Sequence, residues 1–202
     1  MRDKNALRHF VEEIEEHRWS GGAACHPVAA IRIVPAALVN LTSDDPEVRR
    51  DAGTELSSVV WHQGTIYPAT AEATEFLCRM LDFRSPSNDF AEATHLLAIC
   101  ALSARAAQEG VSGAGTVANG TRILREVQTR ERHLHSFIKS DVAVSSKGNA
   151  LLALLQANPS EDLNKLSRDP ALSRIGRLLR GASLQQAWDV FENDDLFDTR
   201  RR

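Results

Sequence analysis

The residue types best suited to chemistry gather in one short segment of the chain. Trp61, His62, Gln63 and Tyr67 combine aromatic faces with groups that donate and accept hydrogen bonds. Aromatic rings of this kind often anchor binding sites, and a histidine can also exchange a proton near neutral pH. The segment is therefore a candidate binding site, and we assign no catalytic residue to it.

The same four residues also have a structural interpretation. His62 and Gln63 would bond the free carbonyl groups at a helix end, while Trp61 and Tyr67 would pack between neighbouring helices. Residue types alone favour this structural interpretation over the binding one. Both stay open at this point, because a connector between helices can be exposed at a binding surface or buried in a core.

The seven histidines do not predict a metal site. His133 and His135 are two residues apart on a predicted helix, so their side chains point about 200° away from each other. Cys25 and His26 are adjacent, but no CxxC, HxxxH or HExxH pattern accompanies them. We therefore predict no metal and no cofactor.

A glycine-spaced segment, residues 115–122, has a partial likeness to a phosphate-binding loop. Thr121 and Arg122 stand where such a loop carries lysine and then serine or threonine. A helix is predicted before the segment, whereas a phosphate loop follows a strand. The segment is better interpreted as a linker between helices. Acidic pairs such as Asp44-Asp45 are typical of solvated turns and predict no catalytic pair.

The composition of the 202-residue chain favours an all-α protein. Hydrophobic residues make up 43% and aromatic residues only 5% of it, and no clean alternation of apolar and polar residues occurs. We predict a single helical domain over residues 1–192 with about eight or nine helices, followed by a disordered tail over residues 193–202. The formal net charge of -3 disfavours a nucleic-acid partner, since phosphate binding usually requires a basic surplus.

The cysteine content and the chain's hydropathy predict a cytoplasmic location. Cys25, Cys78 and Cys100 are odd in number and show no disulfide spacing, which favours a reducing compartment. No apolar segment has the length of a signal peptide or a membrane span.

Apolar periodicity and turn residues place the helices. Those that frame the candidate site are predicted over residues 47–61, 70–82 and about 89–108, the last capped by Asn88 or Asp89. Pro35 is expected to kink a helix over residues 27–42, or to begin it. Later helices are predicted over residues 121–139, 149–157, 161–167 and 171–179, and a last helix, capped by Ser183, is predicted to run to about residue 191. Breaks are predicted at residues 110–120 and 145–148.

Two helical segments repeat with an offset of 39 residues, which aligns Pro35 with Thr74. The stretch Ile33 to Leu56 resembles a HEAT repeat: a proline lies early in its first helix, Asp44-Asp45-Pro46 forms the turn, and Val48-Arg49 opens its second helix.

The stretch Val60 to Leu81 is similar to a connector of bacterial HEAT-repeat-like proteins. His62-Gln63-Gly64-Thr65 and Tyr67-Pro68-Ala69 carry this likeness, which covers about residues 28–106. The chain departs from the family pattern at Ser43, at Thr74 and after Gly110, where the helices lose the period. The resemblance implies a short α-solenoid of antiparallel helix pairs and a protein-binding role.

We therefore predict a non-catalytic protein–protein interaction module with another protein as its partner. It would bind through the concave face formed by the second helix of each pair and by the connector around His62 and Tyr67. One version is an inhibitor or immunity-type binder of another bacterial protein, because a compact acidic protein can cover a basic active site.

Two other functions stay open. One is a HEAT-like enzyme or binding protein that acts on nucleic acid. A moderately basic predicted helix carries Arg125, Arg130, Arg132 and Lys139, although Glu126 and Glu131 balance it. The other is a structural subunit of a homo-oligomer, formed through apolar faces at the ends of the helix array.

Overall fold

The computed structural model describes residues 4–19, 27–62, 64–83, 88, 90–159, 170–179 and 183–192. These residues form ten α-helices, a single 3-10 turn and one two-stranded hairpin. The all-α prediction is confirmed, and the expected eight or nine helices are too few. The helices are α1 Lys4–Glu16, α2 Pro27–Asn40, α3 Pro46–Val60, α4 Pro68–Met80, α5 Ala91–Gln108, α6 Val117–Thr129, α7 Glu131–Ile138, α8 Val144–Ala157, α9 Pro170–Leu179 and α10 Leu184–Glu192. The hairpin strands are β1 Trp61–His62 and β2 Thr65–Ile66, and the 3-10 turn is Leu81–Phe83. The predicted helix over residues 161–167 and the predicted tail lie outside the described residues.

Helix α5 lies at the centre of the packing. It contacts α3, α4, α6, α8 and α10, and most of its side chains are buried on every face. A helix that is apolar on all sides is stable only inside a core, which explains its Ala- and Leu-rich sequence. Small residues also permit close crossings, because a Cβ at Gly120 of α6 would lie 2.5 Å from the Ala104 carbonyl oxygen.

Further contacts arrange the remaining helices around α5. Helix α2 packs against α3 and α4, helix α4 also packs against α6, and α7 and α9 both pack against α8. Helix α1 adds an aromatic cluster, in which the rings of Phe10 and Phe83 lie 4.9 Å apart and the Arg79 guanidinium lies 5.3 Å from the Phe10 ring.

Several helix boundaries differ from the sequence prediction, and most of them differ where tertiary contacts outweigh local propensity. Of the two outcomes expected at Pro35, a helix start is wrong, because α2 begins at Pro27 and continues through Pro35, with Val34 and Leu38 fully buried beside it. The expected kink stays a prediction. The helix expected over residues 121–139 ends at Thr129 and resumes at Glu131. Between them, Arg130 turns its guanidinium towards Glu75, with 2.7 Å between Nη2 and Oε1.

The expected break at residues 145–148 is also wrong. Helix α8 begins at Val144, and both Ser146 and Gly148 are buried within it. Helix α6 begins at Val117, earlier than expected, because the Thr116 hydroxyl caps it by accepting a 3.1 Å hydrogen bond from the Asn119 N–H. Within the part of the chain that the structure describes, no helix combines the length and apolar character of a membrane span.

Candidate functional site

The predicted binding segment forms the hairpin between α3 and α4. Trp61 pairs with Ile66 and His62 pairs with Thr65 in antiparallel register. The Trp61 backbone N–H also caps the end of α3 by donating to the Ser57 carbonyl. Gly64 has a φ of 84° in the turn, a left-handed conformation that favours glycine.

The Trp61 side chain connects the hairpin to the central helix. Its indole Nε1 donates a 2.7 Å hydrogen bond to the Ser103 hydroxyl of α5, and the ring is half-buried. Ser103 is itself 1% exposed, in a run of otherwise apolar residues. The bond gives Ser103 a partner and fixes the orientation of the indole, one face of which lines a cleft described below.

Tyr67 lies where the chain enters α4, and its backbone contributes to that helix start. The Tyr67 N–H donates a 2.8 Å hydrogen bond to the Thr70 hydroxyl, and the Thr70 hydroxyl donates in turn to the Val60 carbonyl. Thr70 is fully buried and thereby ties the end of α3 to the start of α4. The Tyr67 ring is half-buried.

The structure describes His62, but not Gln63, of the other two predicted site residues. His62 is exposed on β1, where its side chain is directed to the opposite face from that of Trp61. Gln63 lies outside the described residues. Trp61 thus packs against the core, as the structural interpretation expects, whereas the hydrogen bond described for Tyr67 is made by its backbone. His62 keeps the exposure that a binding role needs.

The glycine-rich loop after α5 supports the hairpin. Ile66 donates its N–H to the Ala114 carbonyl at 3.1 Å, and the Thr65 hydroxyl donates to the Gly113 carbonyl. Gly115 has a φ of 110°, and a Cβ there would lie 2.7 Å from the Ile66 carbonyl oxygen. This loop is packed on protein backbone, which agrees with the linker interpretation of residues 115–122 and leaves the phosphate-loop alternative without support.

A cleft of about 520 Å³ opens beside the hairpin, and we call it the Trp61 cleft. It lies between α3, α5, α8 and α10. Trp61, Leu96 and Ile99 supply apolar surface, and polar side chains join them at the edge. The lining residues that carry polar side chains are Arg50, Thr54, Ser57, Glu92, His95 and Asn149.

The charges at the Trp61 cleft are partly balanced. Glu92, which lines the cleft, is approached by the buried Arg49, whose Nε lies 3.8 Å from Glu92 Oε2 and whose Nη1 donates to the Ser43 carbonyl at 3.0 Å. Arg50 lies 3.8 Å from Glu47, but its side chain is 67% exposed. An exposed arginine beside an aromatic floor is a combination common in protein interfaces.

A second cleft, of about 600 Å³, lies on the other side of the hairpin, and we call it the loop cleft. Gly64 and Ser103 line it together with the loop after α5 and the start of α10. Trp188 of α10 lines both clefts and is half-buried between them.

Sequence reasoning missed four residues of this region: Arg50, His95, Ser103 and Trp188. Two of them carried a usable signal. Ser103 is a polar residue inside an apolar helical run, and Trp188 is an aromatic residue on a short amphipathic helix. Arg50 and His95 resemble any exposed helical residue in the sequence, and only the crossing of α3 and α5 brings them to one cleft.

The titratable groups of the described residues include no metal-binding cluster and no exposed cysteine. No group of three or more His, Cys, Asp or Glu side chains in that part of the chain could hold a metal ion. Cys78 and Cys100 are fully buried, and desolvation raises the pKa of both thiols, that of Cys100 to about 12. Cys25 and His26 lie outside the described residues.

Comparison with known proteins does not assign the chain to a family. No protein-family model matches it, and neither the curated proteins nor the solved structures contain a significant match.

Proposed function

We propose that this protein is a non-catalytic protein-interaction module with the form of a short HEAT-like α-solenoid. The helix contacts support that form. Contacts join α2 to α4 and α4 to α6, and a separate set joins α3 to α5 and α5 to α8. Stacked helix pairs would produce these two series, because each repeat buries its apolar face against the next.

We infer that the partner binds over α3, α5 and α8 at the Trp61 cleft. The observation that carries this is the composition of the cleft: an aromatic and aliphatic floor of Trp61, Leu96 and Ile99, with the exposed Arg50 at its edge. Such a cleft accepts an apolar anchor side chain while the surrounding polar groups orient the partner. Its volume of about 520 Å³ is sufficient for one or two such side chains.

The partner we favour is another bacterial protein with a basic surface, which this chain would cover as an inhibitor or immunity-type binder. The net charge of -3 would speed the encounter with a positively charged partner. This choice rests on charge, size and helical form.

Ion pairs weaken the alternative of a nucleic-acid partner. Two arginines that approach α4 are engaged by carboxylates: Arg122 of α6 lies 3.7 Å from Glu72, and Arg130 of the turn after α6 lies 2.7 Å from Glu75. Arginines held in this way contribute less to phosphate binding. A steep loss of DNA association with added salt would nevertheless favour that alternative over ours.

Site-specific photo-crosslinking tests the binding face. A benzophenone side chain would replace Thr54, an exposed residue of α3 that lines the Trp61 cleft. The matched control is Thr129 on α6, which is also exposed and also donates its hydroxyl to the carbonyl four residues earlier. We expect the Thr54 position to capture one protein from the native lysate, and excess unmodified chain to compete the capture away.

Capture of the same protein from both positions would contradict the proposed face. A crosslink to nucleic acid alone, from either position, would contradict the proposed function. The His62→Ala variant then tests the connector by itself, because His62 is exposed and its removal leaves the hydrogen bonds of Trp61 and Thr70 in place. Unchanged capture would exclude His62 from the site while the cleft remains in it.

A further inference from the structure

Helix α10 lies across the face proposed for binding. It contacts α5, with Ala187 3% exposed and with Leu184 and Trp188 half-buried against the core. Gln185, Gln186 and Asp189 are exposed on its other side. An amphipathic helix therefore already occupies part of the surface that a partner would need.

The start of α10 is stabilised by its own side chains. The Ser183 N–H donates to Gln186 Oε1 at 2.8 Å, and the Gln186 N–H donates to the Ser183 hydroxyl at 3.3 Å. Gln185 Nε2 also donates to Asp189 at 2.9 Å, one helical turn away. These reciprocal bonds form a capping box, so the segment carries its own helix-start signal and does not depend on α5 for it.

The groove on α5 is only partly filled by this helix. The nine residues of α10 span roughly 14 Å. Cleft volume remains on both sides of Trp188, about 520 Å³ in the Trp61 cleft and about 600 Å³ in the loop cleft. A longer helix, or one with larger side chains beside its aromatic anchor, would bury more apolar surface in the same groove than α10 does.

We propose that α10 is an exchangeable occupant of this groove, and that the partner binds by inserting an amphipathic helix with an aromatic anchor in the position of Trp188. This rests on the proposed function and specifies the partner's chemistry. The contacts of α10 itself show what the groove accepts: a small residue against α5, an aliphatic residue one turn earlier and an indole between the two clefts. Because α10 is tethered, it competes at a high effective concentration and reduces the affinity for any helix added in trans.

A peptide with the sequence of residues 183–192 tests the exchange with no need for the natural partner. The peptide would be capped at both ends, labelled with fluorescein and titrated with the full chain while anisotropy is recorded. In the full chain, Ala187→Glu places a charge at the buried contact of α10 and should release that helix from α5. We expect this variant to bind the peptide about tenfold or more tightly than the unmodified chain does.

Gln186→Glu is the matched control. It adds the same charge to the same helix at an exposed position, and a glutamate there can still complete the capping box. We expect it to bind the peptide as weakly as the unmodified chain. A peptide that itself carries Ala187→Glu should bind none of the chains.

Circular dichroism and thermal melting establish whether each variant is folded. If Ala187→Glu is not folded, Trp188→Ala replaces it as the variant that releases α10 from α5. Equal affinity of the folded release variant and the unmodified chain for the peptide, or no binding by either, would overturn the exchange. Capture from the Thr54 position without peptide binding would retain the proposed function and reject the role of α10. Tighter peptide binding by the release variant, with no protein captured from the Thr54 position, would retain the exchange of α10 and reject the proposed function.

Discussion

The indole Nε1 of Trp61 and the hydroxyl of Ser103 lie 2.7 Å apart, and this bond joins residues 42 positions apart in the chain. It attaches the hairpin to the central helix between the two clefts. The orientation of Trp61, a predicted site residue that lines the Trp61 cleft, therefore depends on a serine that no local sequence pattern connects with it.

Ser103→Ala should lower the free energy of unfolding by about 1–2 kcal/mol, because the half-buried indole N–H loses its partner. Urea unfolding followed by tryptophan fluorescence measures the change. Ser58→Ala is the control, since that exposed hydroxyl donates only to the Glu55 carbonyl within α3. Equal effects of the two substitutions would show that water replaces Ser103 as the acceptor.

Gly115→Ala should destabilise the fold more than Gly113→Ala does. Both glycines have a positive φ, 110° and 85°, so an alanine strains the backbone at either position. Only at Gly115 does the added Cβ also meet neighbouring atoms, 2.7 Å from Ile66 Cγ1 and from the Ile66 carbonyl oxygen. We expect about 1 kcal/mol at Gly113 and roughly 3 kcal/mol at Gly115 in thermal or urea unfolding. Similar losses would mean that the loop moves away from the hairpin without cost.

Asn88→Ala should cost roughly 3 kcal/mol of unfolding free energy, about one for each hydrogen bond that is lost. The side chain is fully buried and donates to the carbonyls of Leu41 and Ser43, each at 3.1 Å. It also accepts the N–H of Phe90, a non-glycine residue with a φ of 55° at the start of α5. Asn119→Ala, at a half-buried position in the first turn of α6, is the control and should change stability by less than about 1 kcal/mol.

The buried cysteines should not react with Ellman's reagent in the folded protein. Burial excludes the reagent and raises the pKa of both thiols, so little thiolate forms near neutral pH. In a Cys25→Ser chain we expect no rapid reaction at pH 8 and two reactive thiols after addition of urea. Rapid reaction of one thiol in the folded chain would indicate local opening at α4 or α5.

The same pKa shift predicts a loss of stability in alkali. In the unfolded chain the Cys100 thiol ionises near its ordinary pKa of 9.0, whereas in the folded protein its pKa is about 12. Between these values the unfolded state binds fewer protons, so the unfolding free energy falls as the pH rises. The fall between pH 8 and pH 10 should be smaller for Cys100→Ala than for the unmodified chain. An equal fall in unfolding free energy in the two chains would show that ionisation of the Cys100 thiol does not cause the loss of stability.

The helical class of this protein could be predicted from its sequence, because it depends on local properties. Apolar periodicity predicted α3, α4 and α5 to within a few residues, because the apolar pattern of an amphipathic or fully apolar helix is a property of its own sequence. The Asp45-Pro46 start of α3 was also readable, and the Asp45 carboxylate does accept the Glu47 N–H at 2.9 Å. The Ser183 cap of α10 was predicted in the same way.

Boundaries that depend on partners far along the chain were decided only by tertiary structure. The turn at Arg130 is held by Glu75, and α8 continues through Ser146 and Gly148 because both are buried by neighbouring helices. The start of α5 was expected to be capped by Asn88 or Asp89. Phe90 occupies the cap position instead, and Asn88 is drawn to the carbonyls that follow α2.

The candidate site likewise has one part that the sequence predicted and another part that only the tertiary structure forms. The sequence by itself identified the segment around Trp61, His62 and Tyr67, because unusual side chains are visible without a fold. It did not bring Arg50, His95 or Trp188 to the same place, since those residues meet only where α3, α5 and α10 cross. Composition is a local property, whereas a cleft is formed by surfaces from distant parts of the chain, and only packing brings those surfaces together.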